Sequence, residues 1–296
     1  MTRSFLFIFA SMLATTFPAS ACINEFGTNN QGEYIKPIGY AGQHLKPALV
    51  TPTDKNALIE WSGHVVEGVR KAPSFFNLIN LSAVLIRFGK LPEAVTLLKF
   101  IEQKYPGKYQ TASNIGTAYE LMGRNEEALE WISEGMRRNP DDHFGTEWLH
   151  ALILKAKLGK FPAPAPGRSI LNLDFGKEAM PKRPALLSVG NRGQQLSLFD
   201  LGVALRYQLG ERIHFVDAPD PLVAGMLLDW ANLELLAGSV ESADVLYDAA
   251  IRYGSKEAPM ISKRKAQVAR VLSRPKSKRM VKDGECELCK FPKPQS

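Results

Sequence analysis

A chain of 296 residues, 45% of them hydrophobic and 23% charged, has ample material for a buried core, which excludes disorder throughout. The net charge of +7 is unevenly placed: residues 256–296 carry twelve Lys and Arg against four Asp and Glu. The body of the chain is therefore near neutral, and its basic character belongs to the C-terminal end.

At the start, Thr2 and Arg3 give a short positive region, Phe5 to Phe17 an apolar run too short to span a membrane comfortably, and Ala19, Ser20 and Ala21 a small-residue cleavage site. Residues 1–21 read as an export signal. Cys22 directly after that site resembles the lipidated first residue of a bacterial lipoprotein, although Pro18 and Ala19 depart from that signal and leave ordinary cleavage at Ala21 open. An odd thiol is awkward in an exported protein, and lipidation of Cys22 leaves Cys286 and Cys289 as a pair. The expected location is the periplasm or the inner leaflet of an outer membrane, with a secreted soluble form as the alternative.

Residues 22–52, rich in Gly, Asn and Pro and without a sustained period, read as an irregular tether. Thr53 or Asp54 then caps a helix through Leu58, Trp61, Val65 and Val69, which covers the first of several helical units. From Tyr109 to Asp142 apolar and small residues fall at helical spacing in two runs, Ala112, Ile115, Gly116, Tyr119 and Ala128, Ile132, Gly135, Met136. Gly123-Arg124-Asn125 separates them and Pro140 ends the second, a pattern of helix, tight turn, helix. The same punctuation stands 34 residues earlier, where Gly89, Ala94 and Pro106 overlay Gly123, Ala128 and Pro140. A third match begins at Ala224, with Ala231, Gly238, Ala243, Tyr247 and Ala250 in register. One helix hairpin cannot bury its apolar stripe alone, so a repeat of this length implies stacked hairpins with a continuous core.

The units resemble the tetratricopeptide repeat, whose small positions read Gly116, Ala128 and Gly135 in one unit and Ser82, Ala94 and Ile101 in the other. The resemblance implies an all-α superhelix of helix hairpins, with repeats at 75–108, 109–142 and 224–257 covering about a third of the chain. Ile101 and Ile132 depart from the pattern, so the packing is expected to differ locally there. Residues 53–159 form an N-terminal block whose last helix starts a unit at 143 without a second half. A Pro- and Gly-rich insertion follows at 160–195, as a hairpin or as an excursion packed across the superhelix. A C-terminal block occupies 196–257, and a basic helix and tail 258–296. In the tail Ile261, Val268, Val271 and Leu272 make an apolar stripe, and a mobile end is expected beyond Pro275.

The resemblance also implies a concave groove that receives a protein or peptide partner. Its positions fall on Phe76, Ile79, Ala83, Ile86 and Arg87, and on Gln110, Ser113, Thr117, Glu120 and Leu121. Ile79 and Ala83 stand where relatives place a Lys and an Asn to clamp a terminal carboxylate, so that ligand is not expected. The groove is either open or covered by the N-terminal segment or residues 160–196. The basic tail is a docking strip for an acidic partner or anionic lipid, or a solvated surface. An exported chain is not expected to meet nucleic acid.

Chemistry is sparse. Cys286 and Cys289 suit half a zinc site, but no second Cys pair completes it, and the five histidines lack ligand spacing. A structural disulfide is the simplest reading of the pair, and thiol exchange the sharper one. His150 shows no carboxylate three or four residues ahead and reads as a packing or surface residue. Glu126 and Glu127 favour a helix dipole at its N-terminus. No phosphate loop, zinc-protease helix motif or nucleophile elbow is present. The chain thus reads as a non-enzymatic interaction scaffold without metal or cofactor, with an exported thiol- or metal-handling protein as the alternative.

Overall fold

The computed structural model describes residues 26–37, 45, 49, 55–185, 187–275, 277–282 and 285–289. The export signal, Cys22 and the cap at Thr53 or Asp54 lie outside them. Among the described residues no helix is long and apolar enough to cross a membrane.

Helix α1 (Lys55–Lys71) lies against α2 (Phe75–Arg87), where Asn77 Nδ2 donates to the carbonyls of Gly68 and Ala72 at 3.0 and 2.8 Å. The first hairpin joins α2 to α3 (Leu91–Lys104), and the second joins α4 (Tyr109–Leu121) to α5 (Asn125–Arg138). Both turns place a glycine in the left-handed region, Gly89 at φ 70° and Gly123 at φ 76°, where a Cβ is penalised. The small residues act as expected from the spacing: a Cβ on Gly116 falls 2.6 Å from the Ile132 side chain, and one on Gly135 falls 2.9 Å from Ser113 Oγ. In the first hairpin Ile101 fills the corresponding place and is wholly buried. Arg138 fastens one unit to the previous one through Glu102.

Helix α6 (Glu147–Lys157) is shared between two apolar cores. Ala151 and Leu154 join the core of the first two hairpins, whereas Trp148, Leu149 and Ile153 join a second core built on α7 (Leu198–Arg212), α8 (Pro221–Ala237), α9 (Val240–Arg252) and α10 (Ala258–Leu272). Helix α8 is apolar nearly all round and lies at the centre of this half. The insertion is part of that core, since Ile170, Leu171, Leu173 and Phe175 are buried in it; farther along, Val189 bridges Gln195 in a short turn.

Three expectations change. The tether contains a hairpin, strand β1 (Gly27–Thr28) antiparallel to β2 (Tyr34–Ile35), because Asn29 Oδ1 accepts from the backbone of Gln31 and Glu33 and closes the turn locally. The described part of the tail is docked: Tyr34 bridges Met280, Arg279 pairs with Glu33 and Glu285, and Leu288 is buried. In α10 the apolar stripe holds Ile261, Val268 and Val271, but Leu272 is exposed and Arg264 is fully buried. Arg264 is tolerated there because it donates to Asn232 Oδ1 and to the carbonyls of Phe175 and Gly176 in the insertion.

Candidate functional site

The residues expected to line the groove divide into two parts. At the N-terminal ends of α2 and α4, Phe76 is 70% exposed, Ile79 is buried and Gln110 is half-buried. At their C-terminal ends, Ala83, Ile86, Arg87, Ser113, Thr117, Glu120 and Leu121 line a cavity of about 220 Å³. Its opposite wall is α7, through Tyr207, Gln208, Glu211 and Arg212, with Phe215 beyond it. The cover is therefore not residues 160–196 but the helix that follows them, and it meets the groove with its polar face, its leucines Leu201, Leu205 and Leu209 being buried in the second core.

Glu120 is the centre of the polar seam. Its carboxylate accepts from His150 Nε2 at 2.6 Å, from Lys157 Nζ at 2.6 Å and from Arg212 at 2.8 and 3.2 Å. Burial disfavours the ionised carboxyl, but the charges and hydrogen bonds of His150 and Arg212 outweigh burial and hold its pKa well below the usual range. The converse holds at His150, where burial opposes the imidazolium and Glu120 and Glu147 push its pKa up to about 9. The histidine read from sequence as a packing or surface residue is thus a buried cation. Its partners are Glu147, three residues before it rather than after, and Glu120 on the preceding inner helix.

Glu147 also meets His143 through Oε1, and Gln208 Nε2 reaches the same oxygen at 3.4 Å. Burial again opposes its charge, and hydrogen bonds from the two histidines hold it ionised, with its position in the first turn of α6 favouring an anion as well. His143 stacks on Tyr207 with ring centroids 4.9 Å apart. Burial raises the Tyr207 pKa, and the surrounding carboxylates add to the effect.

The turn before α6 is strained. His143 and Phe144 sit at φ 50° and 59°, a left-handed conformation costing about 1–3 kcal/mol for each non-glycine residue. The insertion holds it in place. Asn191 Oδ1 accepts from Trp148 N at 2.7 Å, supplying the cap that Thr146 does not give α6, and Asn191 Nδ2 donates to Pro140 O at 2.6 Å.

The other singled-out residues lie elsewhere. Glu127 pairs with Arg124 at the start of α5. Cys286 and Cys289 form a disulfide against the end of α8, with Cys286 Sγ 3.7 Å from Ala237 O. At least three of the twelve basic residues are engaged internally, Lys265 by Asp244 and Asp248, Arg264 and Arg279 as above. Among the described residues no three His, Cys, Asp or Glu side chains converge to hold a metal ion.

No protein-family profile matches the sequence, and no curated protein matches it. Among solved structures, the chain is similar to the crystal structure of a tetratricopeptide repeat protein from Parabacteroides merdae, at 14% identity and a TM-score of 0.28, over 72% of this chain and 93% of that one. The chain's own stacked hairpins make it an all-α helical-repeat protein.

Proposed function

We propose that the protein is a non-enzymatic scaffold of the bacterial cell envelope, exported and tethered through Cys22, that recruits a protein or peptide partner on the open part of its concave face. The observation that carries this reading is the division of that face. The C-terminal ends of α2 and α4 face the chain's own α7 across a cavity, while at their N-terminal ends a large aromatic, Phe76, stands 70% exposed and Gln110 is half-buried. An exposed large aromatic is what partner anchoring uses.

The test is site-specific photo-cross-linking in cells from Phe76 and Gln110, with exposed Lys99 on α3 as the outer-face control. A partner band that arises from the two groove positions and not from Lys99 supports the scaffold. Bands that are the same from all three positions, or absent from the groove positions, refute it. Fatty-acid labelling tests the tether separately, and no label on the wild type removes it.

A further inference from the structure

The chain leaves α6 through a strip whose backbone is fixed by its own sequence. Residues 161–166 read FPAPAP, so each of them is a proline or stands directly before one. The proline ring sets its φ at about −65°, and the residue before it is pushed out of the helical region. All three X–Pro bonds are trans. The strip is therefore a short polyproline II helix, with three residues to the turn and no internal hydrogen bonds. It is held at both ends: Lys160 N donates to Lys155 O at 2.8 Å, Ala165 N to Asn172 Oδ1 at 3.2 Å, and Arg168 N to Ala165 O at 3.0 Å. Half-buried Pro164 and Ala165 rest on the protein, while Pro162, Ala163 and Pro166 are exposed, the last two on one edge of the three-residue period. No carbonyl from Phe161 to Pro164 accepts a hydrogen bond among the described residues.

The strip thus offers free carbonyls and flat pyrrolidine rings in a conformation whose ordering entropy is already lost. A groove of aromatic side chains matches both, its ring faces taking the prolines and its Trp N–H or Tyr O–H groups reaching the carbonyls. Charge narrows the partner further. Lys155, Lys157, Lys160 and Arg168 flank the strip, and no Asp or Glu occurs from 148 to 173. Lys157 is bound to Glu120 and Arg168 to Asp174, and Glu257 lies beside Gly167 at the far end. Lys155 and Lys160 are exposed, and among the described residues their side chains have no partner. We propose that the strip docks a partner domain that has an aromatic-lined groove with an acidic rim, the rim meeting Lys155 and Lys160. This surface is separate from that of Phe76, and neither depends on the other.

The experiment is photo-cross-linking in cells from position 163, with exposed Lys177 of the insertion as the control position and mass-spectrometric mapping of the residue joined on the partner. An adduct from 163 and not from 177 is expected, its site on the partner lined by Trp, Tyr or Phe and flanked by Asp or Glu. With the purified partner, a synthetic peptide of residues 160–167 competes for the adduct. The same peptide with Ala at 162, 164 and 166 competes roughly tenfold less well or worse, because its backbone is free and the ring contacts are lost. In the full chain Lys155→Glu with Lys160→Glu weakens the adduct, and so does Pro162→Ala with Pro166→Ala, both variants staying folded by circular dichroism. Absence of an adduct from 163, or an equal one from 177, overturns the proposal. So does a mapped site without aromatic residues, an adduct to a second copy of this chain, or equal competition by the Ala peptide.

Discussion

Replacing Glu120 by Gln keeps the shape of the side chain and removes the one anion that His150, Lys157 and Arg212 share. In the native protein the His150 pKa lies at about 9 against 6.5 for a free histidine. The raised value means that the folded state holds the proton more tightly. The associated stability is fully present below pH 6.5 and is lost as pH rises through about 9. The interval corresponds to on the order of 3 kcal/mol. With Gln at 120 the larger of the two anionic partners is gone and only Glu147 still opposes burial, so the His150 pKa falls below its native value and the difference in unfolding free energy between native and variant shrinks as pH rises from 6.5 to 9.5, by at most that amount. The assay is urea unfolding at half-unit pH steps, paired with NMR titration of the His150 ring to separate it from His143, whose pKa is also raised. A variant in which His150 still titrates near 9, or in which the native protein shows the same pH slope as the variant, refutes the reasoning.

Gly116→Val, placing a side chain where even a Cβ meets Ile132 at 2.6 Å, should lower stability by about 1–3 kcal/mol in chemical denaturation. Asp229 is buried, and burial raises its pKa to about 7 despite the Ser169 hydroxyl bonded to it. Its ionisation therefore costs stability progressively from about pH 4 to 7, and Asp229→Asn should be more stable than wild type at pH 8 and equal to it at pH 3.5 by thermal melting. Arg264→Ala strips hydrogen bonds from the carbonyls of Phe175 and Gly176 and from Asn232, so a loss of roughly 2–4 kcal/mol and faster hydrogen exchange across the insertion are expected. Cys286→Ser with Cys289→Ser opens a four-residue loop and should cost at most about 2 kcal/mol.

The repeats were legible because their signals are local. Gly89 and Gly123 mark turns by their own backbone freedom, and Gly116 and Gly135 mark a close helix crossing by the absence of a side chain. The seam was not legible, because Arg212 reaches Glu120 across 92 residues, with the whole insertion between them in the chain. His150 illustrates the limit: a search three and four residues ahead finds no carboxylate, and its partners lie three behind and on another helix. Arg264 reads as one more charge beside an apolar stripe until the carbonyls that receive it are in place. The turn at Asn29 to Gly32 follows from residue chemistry, but whether so short a hairpin persists depends on what it meets, here Glu241, which accepts from Thr28 N and Oγ1.

Helix α6 begins a hairpin that is never completed, and its two faces serve two cores. Length is therefore adjustable on only one side of it. An extra consensus unit spliced between α3 and α4 adds another course between two hairpins that already stack on each other. The same unit spliced after α6 finds no surface to rest on, since the place of the next helix is taken by the second core.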